Sequence, residues 1–232
     1  MRHLRDRDAP LGAPLLIVNL KAYPNASGPG ALSIGRILES EGRSHGVAVA
    51  IAPSAPDLAL LADQLAIPVL AQHVDPDAGG ARTGSVVAES LQAAGVRGSL
   101  LSHSERPLSV PVIGVAVDRL RQADLVPVVC AGTVRRAGQL ARFRPPYLAI
   151  EPPELIGGSR SVSTARPGII SGAVRKVQAV SRRTRLLCGA GVHDRRDVSL
   201  ALELGSQGIL VASAVALARS PRRAIAELLA GF

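Results

Sequence analysis

Apolar positions along this chain follow two alternating patterns. Short, nearly continuous apolar runs recur at Leu15–Leu20, Val47–Ala52, Val69–Gln72, Ser99–Ser102, Val126–Cys130, Tyr147–Ile150, Leu186–Cys188 and Ile209–Val211. Runs of that length without polar alternation suit strands buried on both faces, as in a parallel sheet. The segments between them carry helical spacing. Ile113, Val117 and Leu120 fall at i, i+4 and i+7, whereas Val198, Ala201 and Leu202, like Ile225, Leu228 and Leu229, fall at i, i+3 and i+4. Helix start signals agree with that spacing: Thr133, Asp194 and the Ser220-Pro221 pair each sit just before a helical stretch. Strand followed by helix, eight times over, predicts an α/β protein with a single (β/α)8 barrel. A doubly wound open sheet satisfies the same alternation, because the pattern does not show closure.

Residues 1–13 read as a flexible polar arm and residues 14–232 as one barrel domain, since no linker, internal repeat or low-complexity tract divides the chain. Two loops stand out. Asp75–Thr83 carries a proline and two glycines, and Pro152–Pro167 is long for a connection inside a compact domain, a length that suits a lid.

Composition narrows the class. With 47% hydrophobic and 19% charged residues the chain can build a substantial core. Its longest uncharged apolar run, Gly208–Ala218, is interrupted by Ser213 and too short to span a bilayer. The first ten residues mix Arg, Asp and His and do not resemble a secretory leader. Cys130 and Cys188 cannot make a disulfide framework, and no CxxC pair suggests zinc. These features predict a soluble cytoplasmic protein with no membrane partner. The net charge of +9 raises the question of nucleic acid. However, the basic residues are scattered arginines apart from Lys21 and Lys176, and two Phe, two Tyr and no Trp leave little for base stacking. A solvated basic surface is the better reading, with no nucleic-acid partner.

In a barrel of this kind the chemistry lies at the C-terminal ends of the strands. Strand 1 ends Asn19-Leu20-Lys21, which puts Asn19 and Lys21 on one side. Lys21 at such a position is a substrate contact or half of a structural salt bridge. Strand 4 runs into Ser102-His103-Ser104-Glu105-Arg106-Pro107, where His103 is placed to act as a general acid or electrophile, or to serve structure. Glu151 follows the apolar run of strand 6 directly. Burying an unpaired carboxylate is costly, so Glu151 is ion-paired or catalytic, and the long loop that begins there favours catalysis. Gly157-Gly158 in that loop, Gly189-Ala190-Gly191 after strand 7 and Ala212-Ser213 after strand 8 supply small residues on neighbouring loops. Backbone N–H groups there can approach an anion closely, which points to a phosphate group. Cys130 and Cys188 read as buried free thiols. Gln72-His73-Val74-Asp75 lacks a second histidine at ligand spacing and reads as structural or interfacial rather than as a metal site.

Taken together, Val18-Asn19-Leu20-Lys21, Ala71-Gln72-His73-Val74-Asp75, His103-Ser104-Glu105-Arg106, Glu151-Pro152-Pro153-Glu154-Leu155-Ile156-Gly157, Cys188-Gly189-Ala190-Gly191 and Val211-Ala212-Ser213 resemble triosephosphate isomerase, particularly the short archaeal type, from about Leu15 to Leu229. The resemblance implies the TIM barrel and interconversion of dihydroxyacetone phosphate and glyceraldehyde 3-phosphate without cofactor or metal. It implies that Glu151 is the base and His103 a neutral electrophile, held neutral by a helix N-terminus at Ser104-Glu105. Lys21 would supply positive charge to oxyanion and phosphate, Asn19 would orient substrate oxygens, and Glu105 would hold Lys21. Ile156, Gly157, Gly189, Gly191, Ala212 and Ser213 would bind phosphate. It also implies self-association as a dimer or tetramer, with Asp75–Thr83 buried between subunits. Gly157-Gly158-Ser159, Arg160 and Pro107 depart from the family pattern. A paralogue acting on a tetrose phosphate is the alternative isomerase. An inactive basic scaffold is the alternative from another class, and the intact Asn19, Lys21, His103 and Glu151 argue against it.

Overall fold

A computed structural model describes residues 10–152 and 167–232. The eight expected strands are all present: β1 (Leu15–Asn19), β2 (Ala48–Ala52), β3 (Leu70–Ala71), β4 (Gly98–Leu101), β5 (Val126–Ala131), β6 (Tyr147–Ile150), β7 (Arg185–Cys188) and β8 (Gly208–Val211). Helices α1 (Pro29–His45), α2 (Leu58–Gln64), α3 (Ala88–Ala93), α4 (Val110–Gln122) and α5 (Val134–Leu140) follow the first five strands. Helices α6 (Pro167–Gln178) and α7 (Arg195–Glu203) follow β6 and β7, and α8 (Ser213–Ala216) and α9 (Pro221–Leu229) follow β8.

All pairings are parallel, in the order β2-β1-β8-β7-β6-β5-β4-β3. The two outer strands then meet. A parallel bridge joins Ile51 to Val69, and the Ile51 N–H donates to the Pro68 carbonyl at 3.1 Å. Closure removes the open-sheet alternative. It also explains why β3 is shorter than its apolar run: Val69 is drawn to the β2 edge, and only Leu70 and Ala71 pair with β4.

Each strand buries both faces, which is why the runs lack polar alternation. Leu15, Ile17, Ala50, Leu100, Val128, Ala149, Leu187 and Leu210 fill the barrel interior. Their neighbours in sequence, among them Leu16, Val18, Val49, Leu101, Val129, Leu148 and Ile209, pack outward against the helices. The helical periodicity serves that outer layer. Ile113, Val117 and Leu120 are wholly buried on one face of α4, and truncating one such side chain to Ala costs about 2–5 kcal/mol. The three start signals are caps: Thr133 accepts from the Arg136 N–H at 3.1 Å, Asp194 from the Asp197 N–H at 3.0 Å and Ser220 from the Arg223 N–H at 3.5 Å.

The inner end of the polar arm departs from the sequence pattern. Leu11 is buried in the barrel interior, its N–H donates to the Tyr147 hydroxyl at 3.0 Å, and that hydroxyl donates to the Gly12 carbonyl at 2.8 Å. An apolar residue four places before β1 reaches the interior because Tyr147, at the start of β6, offers the polar anchor there. Among the described residues no helix is long and apolar enough to cross a membrane.

Candidate active site

At the C-terminal ends of the strands lies a cleft, open to solvent, lined by Asn19, Lys21, His103, Glu151, Gly189, Gly191, Ala212 and Ser213 among others. Strand parity delivers some of these side chains directly. Leu15, Ile17 and Asn19 alternate inward on β1, as do Tyr147, Ala149 and Glu151 on β6 and Leu187 and Gly189 on β7. Parity does not deliver His103. Leu100 is inside and Leu101 outside, so a straight strand would carry Ser102 in and His103 out. Ser102 instead takes the left-handed conformation, φ 57°, and the chain turns there. Its Oγ accepts the Leu108 N–H at 3.1 Å, and the turn brings the imidazole over the cleft. Lys21 also lies past the end of its strand in the left-handed region, φ 49°.

Glu151 has 1% of its surface exposed. Neither carboxylate oxygen has a well-formed hydrogen bond within the protein. Burial pushes its pKa up from the ordinary carboxylate range to about 8; the Cys130 thiol, the Lys21 charge and the Ser104 N–H pull it back only in part, and Glu105 adds to the rise. The carboxylate is therefore a desolvated proton acceptor with unused lone pairs. Burial and the neighbouring Glu151 carboxylate raise the pKa of Cys130 in turn, so its thiol stays protonated. Gly189 makes the space: a Cβ on it would lie 2.5 Å from Glu151 Cγ.

Across the cleft, His103 Nε2 lies 3.6 Å from Glu151 Oε1. The Glu105 N–H donates to His103 Nδ1 at 3.2 Å. An Nδ1 that accepts leaves the proton on Nε2, so the neutral ring presents an N–H donor to the cleft. Burial lowers the His103 pKa; the Glu105 carboxylate opposes this, and the Lys21 charge adds to it. The helix N-terminus expected at Ser104-Glu105 is absent. Those residues form a turn closed by the Arg106 N–H on the His103 carbonyl at 2.8 Å, and α4 begins only at Val110. Pro107 and the Leu108 bond to Ser102 delay the helix, so one turn N–H together with burial does what a helix end was expected to do.

Lys21 both pairs and lines the cleft: its Nζ donates to Glu105 Oε1 at 2.6 Å. Glu105 is half exposed, so this ion pair adds little stability, about 0–1 kcal/mol, and serves mainly to aim the ammonium. Asn19 Oδ1 accepts the Lys21 N–H at 2.9 Å, which leaves the Asn19 amide NH2 as a donor facing the cleft. On the far wall Gly191 is left-handed, φ 63°, and Ala212-Ser213 open α8, whose first N–H groups have no partner within its own turn. Those N–H groups and Lys21 make that side attractive to an anion.

Ile156 and Gly157, with the rest of the expected lid, lie outside the described residues. Ser104 is beside the site, its hydroxyl buried without a partner. Sequence reasoning missed Cys130 as a neighbour of Glu151, although both follow inward parity on adjacent strands. It also missed His193 at the rim of the cleft and Gln72, whose amide holds the Lys21 backbone. Among the described residues no group of three or more His, Cys, Asp or Glu could hold a metal.

Residues 14–229 match the triosephosphate isomerase family model. Triosephosphate isomerase from Methanothermus fervidus is 38% identical, covering 93% of this chain and 97% of the relative. Those of Methanoculleus marisnigri and Cenarchaeum symbiosum are 40% and 44% identical, again covering more than nine-tenths of both sequences. The crystal structure of triosephosphate isomerase from Bartonella henselae superposes with a TM-score of 0.69 at 22% identity, covering 88% of this chain and 94% of that one, and shares the fold. These names support the triose isomerase over the tetrose phosphate alternative.

Proposed function

This chain belongs to the triosephosphate isomerase family, and from that premise we propose that it interconverts dihydroxyacetone phosphate and D-glyceraldehyde 3-phosphate through an enediolate. The observation that carries the proposal is the buried Glu151 carboxylate, whose oxygens have no well-formed hydrogen bond within the protein, facing the Nε2 of a neutral His103 at 3.6 Å. Glu151 takes a proton from the carbon beside the carbonyl and returns it to the former carbonyl carbon. His103 donates a hydrogen bond from Nε2 to the oxygen that gains charge and helps pass a proton between the two oxygens. Lys21 and the Asn19 NH2 stabilise the same developing charge, with Lys21 also drawing in the phosphate. The loops at Gly191 and Ala212-Ser213 take the phosphate, and the family resemblance assigns Ile156 and Gly157 to the same group. No cofactor or metal enters the scheme. A coupled assay with glyceraldehyde 3-phosphate tests it: turnover is expected, and a folded protein with none overturns the reading.

Residues 14–232 act as one catalytic unit in the cytoplasm, on a small phosphorylated sugar, without nucleic acid or membrane as partner. The unit self-associates as a dimer or tetramer, with the Asp75–Thr83 loop at the contact. The support is the ordered base of that loop, where Asp75 accepts from His73 Nε2 and the Val86 N–H, both at 2.8 Å. Light scattering at micromolar concentration is expected to give a multiple of the 23.9 kDa chain mass, and a monomer mass overturns the assembly.

A further inference from the structure

We propose that Gln72 is a positioning residue for Lys21: its side-chain amide clamps the Lys21 carbonyl and thereby fixes where the ammonium enters the cleft. This rests on the isomerase reading for the task given to Lys21. Lys21 holds φ 49°, a conformation that non-glycine residues keep only where their surroundings over-determine it. Both ends of the residue are fixed. Asn19 Oδ1 accepts its N–H at 2.9 Å, and Gln72 Nε2 donates to its carbonyl at 2.8 Å. Gln72 Nε2 also donates to the Ala52 carbonyl at 3.0 Å. That same carbonyl accepts the Leu20 N–H at 2.9 Å. One half-buried amide thus ties the exit of β1 to the end of β2 from its own place just after β3.

The chemistry of the clamp is specific. Two carbonyl oxygens face one group, so that group must supply two donors, and among uncharged side chains a carboxamide does so from a single nitrogen. A carboxylate of the same shape would set acceptor against acceptor. The ion pair to Glu105 cannot replace the clamp, because it ends a four-carbon stem and Glu105 is half exposed. With Gln72 removed, the Lys21 peptide can relax toward an ordinary φ and carry the root of the side chain with it. Misplacement of a charged group by about 1 Å is enough to cost about 10²-fold in rate.

The chain has two lysines, Lys21 and Lys176, which makes the position of Lys21 directly observable. Selective [15N]lysine labelling gives two backbone amide signals, assigned with Lys176→Arg. In both Gln72→Leu and Gln72→Glu the Lys21 signal is expected to shift and its hydrogen exchange to quicken by about tenfold, the equivalent of one net hydrogen bond, with the Lys176 signal unmoved. kcat/KM is expected to fall by about 10–10²-fold. Affinity for 2-phosphoglycolate, a phosphorylated carboxylate shaped like the enediolate, is expected to weaken in Gln72→Leu but to change no further when Gln72→Leu is added to Lys21→Met. In Gln72→Glu, kcat/KM relative to the parent is expected to recover as pH falls, because a protonated carboxyl can donate to one of the two carbonyls. A Lys21 signal unmoved in both variants, or an equal loss of affinity with and without Lys21→Met, makes Gln72 a brace for the loop only and overturns the proposal. A parent that binds and moves the Lys21 signal but does not turn over substrate sinks the isomerase reading and leaves the clamp standing. A parent that turns over while the variants leave Lys21 unmoved sinks the clamp alone. Should Gln72→Leu fail to fold, the isosteric Gln72→Glu carries the test.

Discussion

At the scale of single residues, Glu151 sets activity against stability. Its carboxyl is 1% exposed and its pKa in the fold is about 8, whereas an unfolded chain ionises it in the ordinary range near 4.5. A group whose pKa is raised on folding contributes fully below the unfolded value, and its contribution is lost as pH rises toward the folded value. Between about pH 4.5 and 8 the fold therefore pays increasingly for Glu151, and above 8 the cost is level. Glu151→Gln removes that cost. It is expected to melt higher than the parent at pH 8 and similarly at pH 4.5, while turnover falls at least about 10²-fold because no proton acceptor replaces it. Melting curves at both pH values, recorded beside the kinetics, check this; equal melting at pH 8 would mean the carboxyl is better solvated than its burial implies. The same rise predicts that kcat/KM of the free enzyme loses its base on the acid side with a midpoint well above the ordinary carboxyl range of about 4. Gly189→Ala probes the space behind the base: the new Cβ would lie 2.5 Å from Glu151 Cγ and 3.1 Å from Oε1. Turnover is expected to fall about 10-fold or more with the fold retained, checked by kinetics and circular dichroism. Glu151 was legible from the sequence because a carboxylate straight after an apolar strand needs an explanation. That Gly189 and Cys130 lie so close to it was not, because the predicted barrel makes strands 5, 6 and 7 neighbours but does not give the clearances between their inward-facing residues.

At the scale of elements, what was local was legible. The caps at Thr133, Asp194 and Ser220 lie within three residues of the N–H groups they serve, so spacing alone located them. The turn that delivers His103 was not legible, since Ser102 is held left-handed by a bond six residues away at Leu108. Leu108 is fixed in turn from the start of α5, where Arg136 Nη2 donates to its carbonyl at 2.7 Å. Two residues of one helical turn therefore have separable tasks. Thr133→Ala removes only a cap, with an expected cost of about 1 kcal/mol, roughly 2–4 °C in Tm, and little change in kcat/KM. Arg136→Met keeps the stem but releases the Leu108 carbonyl, so kcat/KM is expected to fall severalfold for a similar loss of Tm. Equal kinetic effects from the two would show that the His103 turn does not depend on α5. The helix end that the family resemblance implied beside His103 is replaced by a turn, because the Leu108 N–H is taken by Ser102 and α4 starts only at Val110.

At the scale of the whole molecule the barrel has two ends with different duties, and only one was visible in the sequence. Polar residues collect at the C-terminal ends of the strands because chemistry needs them there, so they interrupt apolar runs and announce themselves. The opposite end is closed by apolar packing, which leaves no such mark: Leu11, in a segment that reads as a polar arm, enters the interior beside Tyr147. The Tyr147 hydroxyl accepts from the Leu11 N–H and donates to the Gly12 carbonyl, so one buried side chain satisfies two backbone groups of the floor. Tyr147→Phe keeps the ring and strands both groups, with an expected cost of about 1–3 kcal/mol. Leu11→Ala opens a space in the same floor, at about 2–3 kcal/mol. Because both act on one contact, the double variant should lose less than the separate losses added together, by about 1 kcal/mol. Neither residue lines the catalytic cleft, which lies at the far end of the strands, so kcat/KM should stay within about twofold of the parent at temperatures where all the proteins are folded. Denaturant unfolding at one fixed protein concentration, paired with the coupled assay, decides the matter. A loss of kcat/KM that tracks the loss of stability would show that the floor helps to set the geometry of the site, whereas stability lost alone confines Leu11 and Tyr147 to holding the barrel shut.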